Sequence, residues 1–203
     1  DMDNDRTPDA LCGLANLYDN GLGVERDTVK AVSLYETAAE KGSAWGMVAL
    51  GWHYRILGGS DNLKKAAAWF KQASDIDNTD GYYGYGLCSL DLKNYDAALE
   101  YLTMAVDAGV GDAVMDLASM YENGLGVERD AEKAQQLYAE AAQSGNGGSL
   151  LSLGWQRYSE GDYDGAIELF LQAEALGIDD ACFALGLAYG DVEDYENSFS
   201  YLS

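Results

Sequence analysis

Leu117-Ala118-Ser119-Met120-Tyr121-Glu122-Asn123-Gly124-Leu125-Gly126-Val127-Glu128-Arg129-Asp130, followed by Ala134 and Leu137-Tyr138, is the stretch whose pattern decides the fold. Leu117 and Tyr121 stand four apart, so one helix face carries both, and Ala134, Leu137 and Tyr138 follow the same helical spacing. Between these amphipathic segments, Gly124 and Gly126 supply residues that end helices readily, and Asp130 can cap the next helix by accepting a backbone hydrogen bond. The stretch reads as a helix hairpin. Nearly the same letters occur at Asn20-Gly21-Leu22-Gly23-Val24-Glu25-Arg26-Asp27.

Working outward, the pattern covers the chain. A Leu or Tyr followed by Gly or Ala recurs at Leu14-Ala15, Leu50-Gly51, Tyr85-Gly86, Leu117-Ala118, Leu153-Gly154 and Leu185-Gly186. A small residue follows each anchor, at Ala31, Ala66, Ala98, Ala134, Ala166 and Ser198, trailed by a bulky apolar pair such as Leu34-Tyr35 or Trp69-Phe70. Each repeat is thus two amphipathic helices. The spacing predicts first helices near 7–19, 44–57, 79–90, 111–122, 147–160 and 179–190, and second helices near 27–40, 62–74, 94–107, 130–143, 163–175 and 194–203. Small residues at the anchors let neighbours approach closely while the large ones fill the grooves. Repeats four to six also echo one to three, with Leu14 mapping to Leu117 and Leu50-Gly51-Trp52 to Leu153-Gly154-Trp155 at an offset of 103, which points to duplication of a three-repeat block.

The residues from Leu117 to Tyr138 resemble a Sel1-like repeat of the tetratricopeptide superfamily, and the first repeat matches nearly as well. Repeats three, five and six lack the long loop and carry Tyr95, Tyr163 and Tyr195 three residues before the small anchor, which is similar to a tetratricopeptide hairpin. The resemblance implies an all-α chain: an α-solenoid, a right-handed superhelix of tandem antiparallel helix hairpins with about five and a half repeats. The expected repeats are 7–42, 43–77, 78–109, 110–145, 146–177 and 178–203, after a disordered tail over 1–6, in what reads as a fragment of a longer chain with possible flanking domains.

Composition excludes several functions. Hydrophobic residues make up 48% of the chain, enough for a continuous core, and the single proline, Pro8, leaves room for uninterrupted helices. The 12 Lys and Arg against 35 Asp and Glu give a net charge of −23, which disfavours nucleic acid and anionic lipid and favours a basic protein segment. No apolar run reaches the length that spans a bilayer, so membrane insertion is not expected. Cys12, Cys88 and Cys182 fall at scattered repeat phases, which argues against a disulfide framework and leans towards a reducing compartment such as the cytoplasm; a removed signal peptide would instead imply a periplasmic or secreted protein.

Chemistry is sparse. The one histidine, His53, lacks a partnered nucleophile and reads as packed or surface-lying, and three cysteines with one histidine show no paired zinc spacing. Gly21-Leu22-Gly23 and Gly124-Leu125-Gly126 lack the flanking residues of a phosphate loop. Asp1-Met2-Asp3-Asn4-Asp5 starts like a calcium loop but has Arg6 where the glycine belongs, and Asp162-Tyr163-Asp164-Gly165 suits a helix start better than a metal. No catalytic residue, metal or cofactor is expected.

The resemblance implies that the first helices line the concave face. Its ligand-facing offsets select Trp45, Trp52, Arg55, Tyr83, Asp112, Glu122, Trp155, Tyr158 and Phe183 as the candidate partner-binding residues. Aromatic rings among carboxylates suit a non-catalytic scaffold holding a protein or peptide. The alternatives are a glycan or small ligand stacked on Trp52, Trp155 and Tyr158, aromatics packed against the next repeat, and a structural spacer that assembles through the last hairpin.

Overall fold

The computed structural model describes residues 7–143 and 145–203; the expected tail over 1–6 lies outside them. Among the described residues there are twelve helices and no strand. The chain divides into two compact units, the first ending at Val110 and the second running from Gly111 to Ser203. The first contains α1 (Pro8–Asn20), α2 (Thr28–Glu40), α3 (Ala44–Leu57), α4 (Ser60–Ser74), α5 (Thr79–Asp91) and α6 (Tyr95–Asp107). The second contains α7 (Gly111–Asn123), α8 (Ala131–Gln143), α9 (Gly147–Ser159), α10 (Tyr163–Ala175), α11 (Asp180–Asp191) and α12 (Tyr195–Leu202). Every boundary lies within two residues of its expected position.

The boundaries have local causes. Asp27 and Asp130 each accept a 2.9 Å hydrogen bond from a backbone N–H three residues on, as their sequence positions predict. Asn78, Asn146 and Asp162 cap α5, α9 and α10 in the same way. Asp162 therefore starts a helix, and its other carboxylate oxygen accepts from Arg157 at 3.1 Å. The short turns before α6, α10 and α12 all need a left-handed residue. The fifth repeat supplies Gly161 at φ 81°, whereas Lys93 and Glu193 take the same conformation at φ 60°.

Within each unit consecutive helices pack against one another, and the first helices of adjacent repeats also touch, α1 with α3, α3 with α5, and α9 with α11. This is the packing of an α-solenoid built from helix hairpins. The small anchors prove to be seats for large side chains. Phe70, fully buried, lies so close to Gly51 and Gly84 that a Cβ on either glycine would stand 2.7 or 2.3 Å from its ring. Phe170 seats on Gly154 in the same manner, while Leu102 and Leu202 rest on Gly86 and Gly186.

Candidate binding surface

The nine residues selected from the sequence separate into two behaviours. Trp45 on α3 and Phe183 on α11 are open to solvent, 47% and 58% exposed. Most of the others are engaged within their own unit. Trp52 is half-buried, edge-on to Phe70 at 5.0 Å and tilted against Tyr83 at 6.2 Å. Trp155 meets Phe170 at 5.2 Å and Tyr158 at 5.5 Å. Asp112 accepts a long 3.5 Å hydrogen bond from Asn146, and Glu122 accepts one from the Tyr138 hydroxyl at 3.1 Å.

Arg55 and Tyr158 show why apparent ligand positions are occupied. Arg55 Nε donates to Asp91 Oδ2 at 3.1 Å, joining α3 to α5, and its guanidinium lies 5.7 Å from the Trp52 ring centre. In the second unit the Tyr158 hydroxyl donates to Asp191, joining α9 to α11. That hydrogen bond is the first cause that pushes the Tyr158 phenol up to about 12. Both are the same tie between adjacent repeats, made once by a cation and once by a phenol. The structure thus gathers Trp52, Arg55 and Tyr83 in one unit, and Trp155 and Tyr158 in the other.

Sequence reasoning missed a cleft that occurs twice. In the first unit, α2 and α3 enclose about 450 Å³ lined by Asp19, Val32, Tyr35, Trp52, His53, Ile56 and Leu57, among others. In the second, α8 and α9 enclose about 270 Å³ lined by Glu122, Gln135, Tyr138, Ser152, Trp155 and Gln156, among others. These positions correspond at the 103-residue offset: Tyr35 to Tyr138, Trp52 to Trp155, Asp19 to Glu122. Arg26 and Arg129 brace both hairpins identically, each Nε donating to the carbonyl of the equivalent residue, Asp19 at 2.8 Å and Glu122 at 2.9 Å. The family offsets considered only first helices, so the second-helix walls went unseen; applying the internal offset to every residue would have exposed them.

Burial is the largest cause pushing the Tyr35 phenol up to about 12, with the Asp19 carboxylate adding to it. Burial and then the Glu122 charge push Tyr138 to about 12 as well. Both phenols are held neutral in the folded chain, so their contribution to stability is complete below about pH 10, the unfolded value, and is lost as pH rises through about 12. Urea midpoints are expected to fall between those values, and a Tyr35→Phe/Tyr138→Phe chain is expected to fall less. An equal fall in both chains would contradict the assignment.

The three cysteines are free thiols, and burial raises Cys88 to about 11. His53 is half-buried beside Tyr54, with ring centres 5.5 Å apart. Among the described residues no group of three His, Cys, Asp or Glu could hold a metal, and no helix is long and apolar enough to cross a membrane.

The tandem helix hairpins define an α-solenoid repeat protein. The Sel1 repeat profile matches residues 8–43, 46–78, 111–146, 149–178 and 179–203, and a tetratricopeptide repeat profile matches 79–108. The chain belongs to the Sel1 repeat family. It is 30% identical over 124 residues to Protein sel-1 homolog 2 of Mus musculus, covering 61% of this chain and 14% of that protein. It is 27% identical over 146 residues to Chitin synthase regulatory factor 3 of Schizosaccharomyces pombe, covering 67% of this chain and 16% of that protein. The chain therefore spans only a small part of these curated relatives. Among solved structures, a Sel1 repeat protein from Oxalobacter formigenes superposes with a TM-score of 0.84 at 28% identity, covering 97% of this chain and 84% of that one.

Proposed function

We propose that the chain is a non-catalytic scaffold whose first helices hold a peptide or protein segment. The observation that carries this reading is the exposure of Trp45 and Phe183 on first helices, large rings of the kind that anchor protein contacts. Membership of a family of protein-interaction repeats supports it. The net charge of −23 favours a basic segment, whose encounter the acidic surface would accelerate.

A stacked glycan has less support. Trp52 and Trp155 are half-buried and edge-on to Phe70 and Phe170, and the Tyr158 hydroxyl is bonded to Asp191, so none of the three presents a wholly open ring.

Affinity capture from extract of the source cells, comparing the intact chain with Trp45→Ala/Phe183→Ala, tests the proposal. Both side chains are exposed, so the variant is expected to keep its fold and to lose the captured protein at least about tenfold. Equal capture by both chains would remove the exposed rings of the first helices as binding positions.

A further inference from the structure

The paired clefts form an internal comparison. Their inner walls are alike: Ala31 and Ala134, Tyr35 and Tyr138, and Trp52 and Trp155 occupy corresponding places. Their rims differ: Thr28 gives way to Ala131, but four apolar positions give way to polar residues. Where the first unit has Val32, Ala49, Ile56 and Leu57, the second has Gln135, Ser152, Ser159 and Glu160. Ile56 is 83% and Leu57 57% exposed, so neither residue serves the packing of its own unit, and the lining of the second cleft has Gln135 and Ser152 where the first has Val32 and Ala49. An apolar rim that folding does not need, around an open cleft of about 450 Å³, has the character of an anchor site.

The surrounding charge limits the occupant. Asp19 lines the cleft, and the first hairpin also carries Asp9, Glu25, Asp27, Glu36 and Glu40. Arg26 also lines the cleft, with its Nε engaged by the Asp19 carbonyl, and Lys30 donates to the Tyr18 hydroxyl at 2.8 Å with its ammonium over the Tyr18 ring. We infer that the cleft between α2 and α3 takes an apolar side chain of a partner protein segment in which Lys or Arg stands beside that residue. The apolar group fills the space between Trp52, Ile56 and Leu57, and the cation meets Asp19. This rests on the reading of the chain as a scaffold and adds a second contact, distinct from the exposed rings of the first helices.

The test is selection of a random-peptide phage library on the intact chain, with the enriched peptides then measured by fluorescence anisotropy. Three chains are compared: the intact one, the rim variant Ile56→Ser/Leu57→Glu, which installs the residues at the corresponding positions of the second unit, and Trp45→Ala/Phe183→Ala. Enriched peptides are expected to pair an apolar residue with Lys or Arg and to bind the rim variant about tenfold or more weakly. Raising the salt is expected to weaken binding to the intact chain. Unchanged melting of the rim variant confirms that its fold is kept. Peptides that bind the rim variant undiminished but fail on Trp45→Ala/Phe183→Ala would overturn the cleft and leave the first-helix reading standing. Absence of any enriched peptide would overturn both. Concentration-dependent mass of the free chain that disappears in the rim variant would assign the cleft to a second copy and overturn the peptide.

Discussion

Phe70→Ala is expected to cost the first unit about 3–5 kcal/mol, a large part of what a domain of this size possesses. The ring is fully buried and fills the volume that Gly51 and Gly84 leave on two different helices, with the Trp52 indole against its edge. Removing it leaves a cavity bounded by helix backbone at both glycines, and backbone cannot close in without moving α3 and α5 together. The lost transfer energy and the cavity term then add. Urea unfolding followed by tryptophan fluorescence reads the effect through Trp45, Trp52 and Trp69, which all belong to the first unit. A loss below about 1 kcal/mol would mean that the helices collapse onto the space, and that Phe70 does not set their separation.

Gly81→Ala is expected to destabilise by about 1–3 kcal/mol, opposite in sign to the usual gain from replacing a helical glycine with alanine. A Cβ at Gly81 would lie 2.5 Å from the Ser74 nitrogen and 2.8 Å from the Ala73 carbonyl carbon, both backbone atoms of the preceding repeat. A side chain could rotate aside; a helix terminus cannot. Gly13, in α1, has nothing within 4 Å of its notional Cβ, so Gly13→Ala is expected to stabilise by up to about 1 kcal/mol. Thermal melting of the two variants should move in opposite directions. A gain at Gly81 would show that α4 and α5 can separate without cost.

The hairpins were readable because their signals are local. Asp27 and Asp130 cap helices with bonds three residues away, and the apolar stripes repeat at helical period, so adjacent letters suffice. The site was readable only in outline. Trp45 and Phe183 are exposed, whereas Arg55 and Tyr158, chosen by the same offsets, are bound to Asp91 and Asp191 from the next repeat. No periodicity distinguishes a side chain that faces a ligand from one that faces the following hairpin, because both lie on the same stripe of the helix.

By itself the sequence determined that this chain is a Sel1-like array: periodicity, caps and glycine positions are properties of neighbouring residues, and they act before any long-range contact forms. Only the tertiary structure decided which aromatics remain open, that Phe70 and Phe170 sit on glycines of other helices, and that α2 and α3 enclose a cleft larger than its counterpart between α8 and α9. The reason is that exposure belongs to pairs of surfaces. Ile56 and Leu57 are apolar letters at the end of a helix, and only the placing of the neighbouring helix shows that they stay in water.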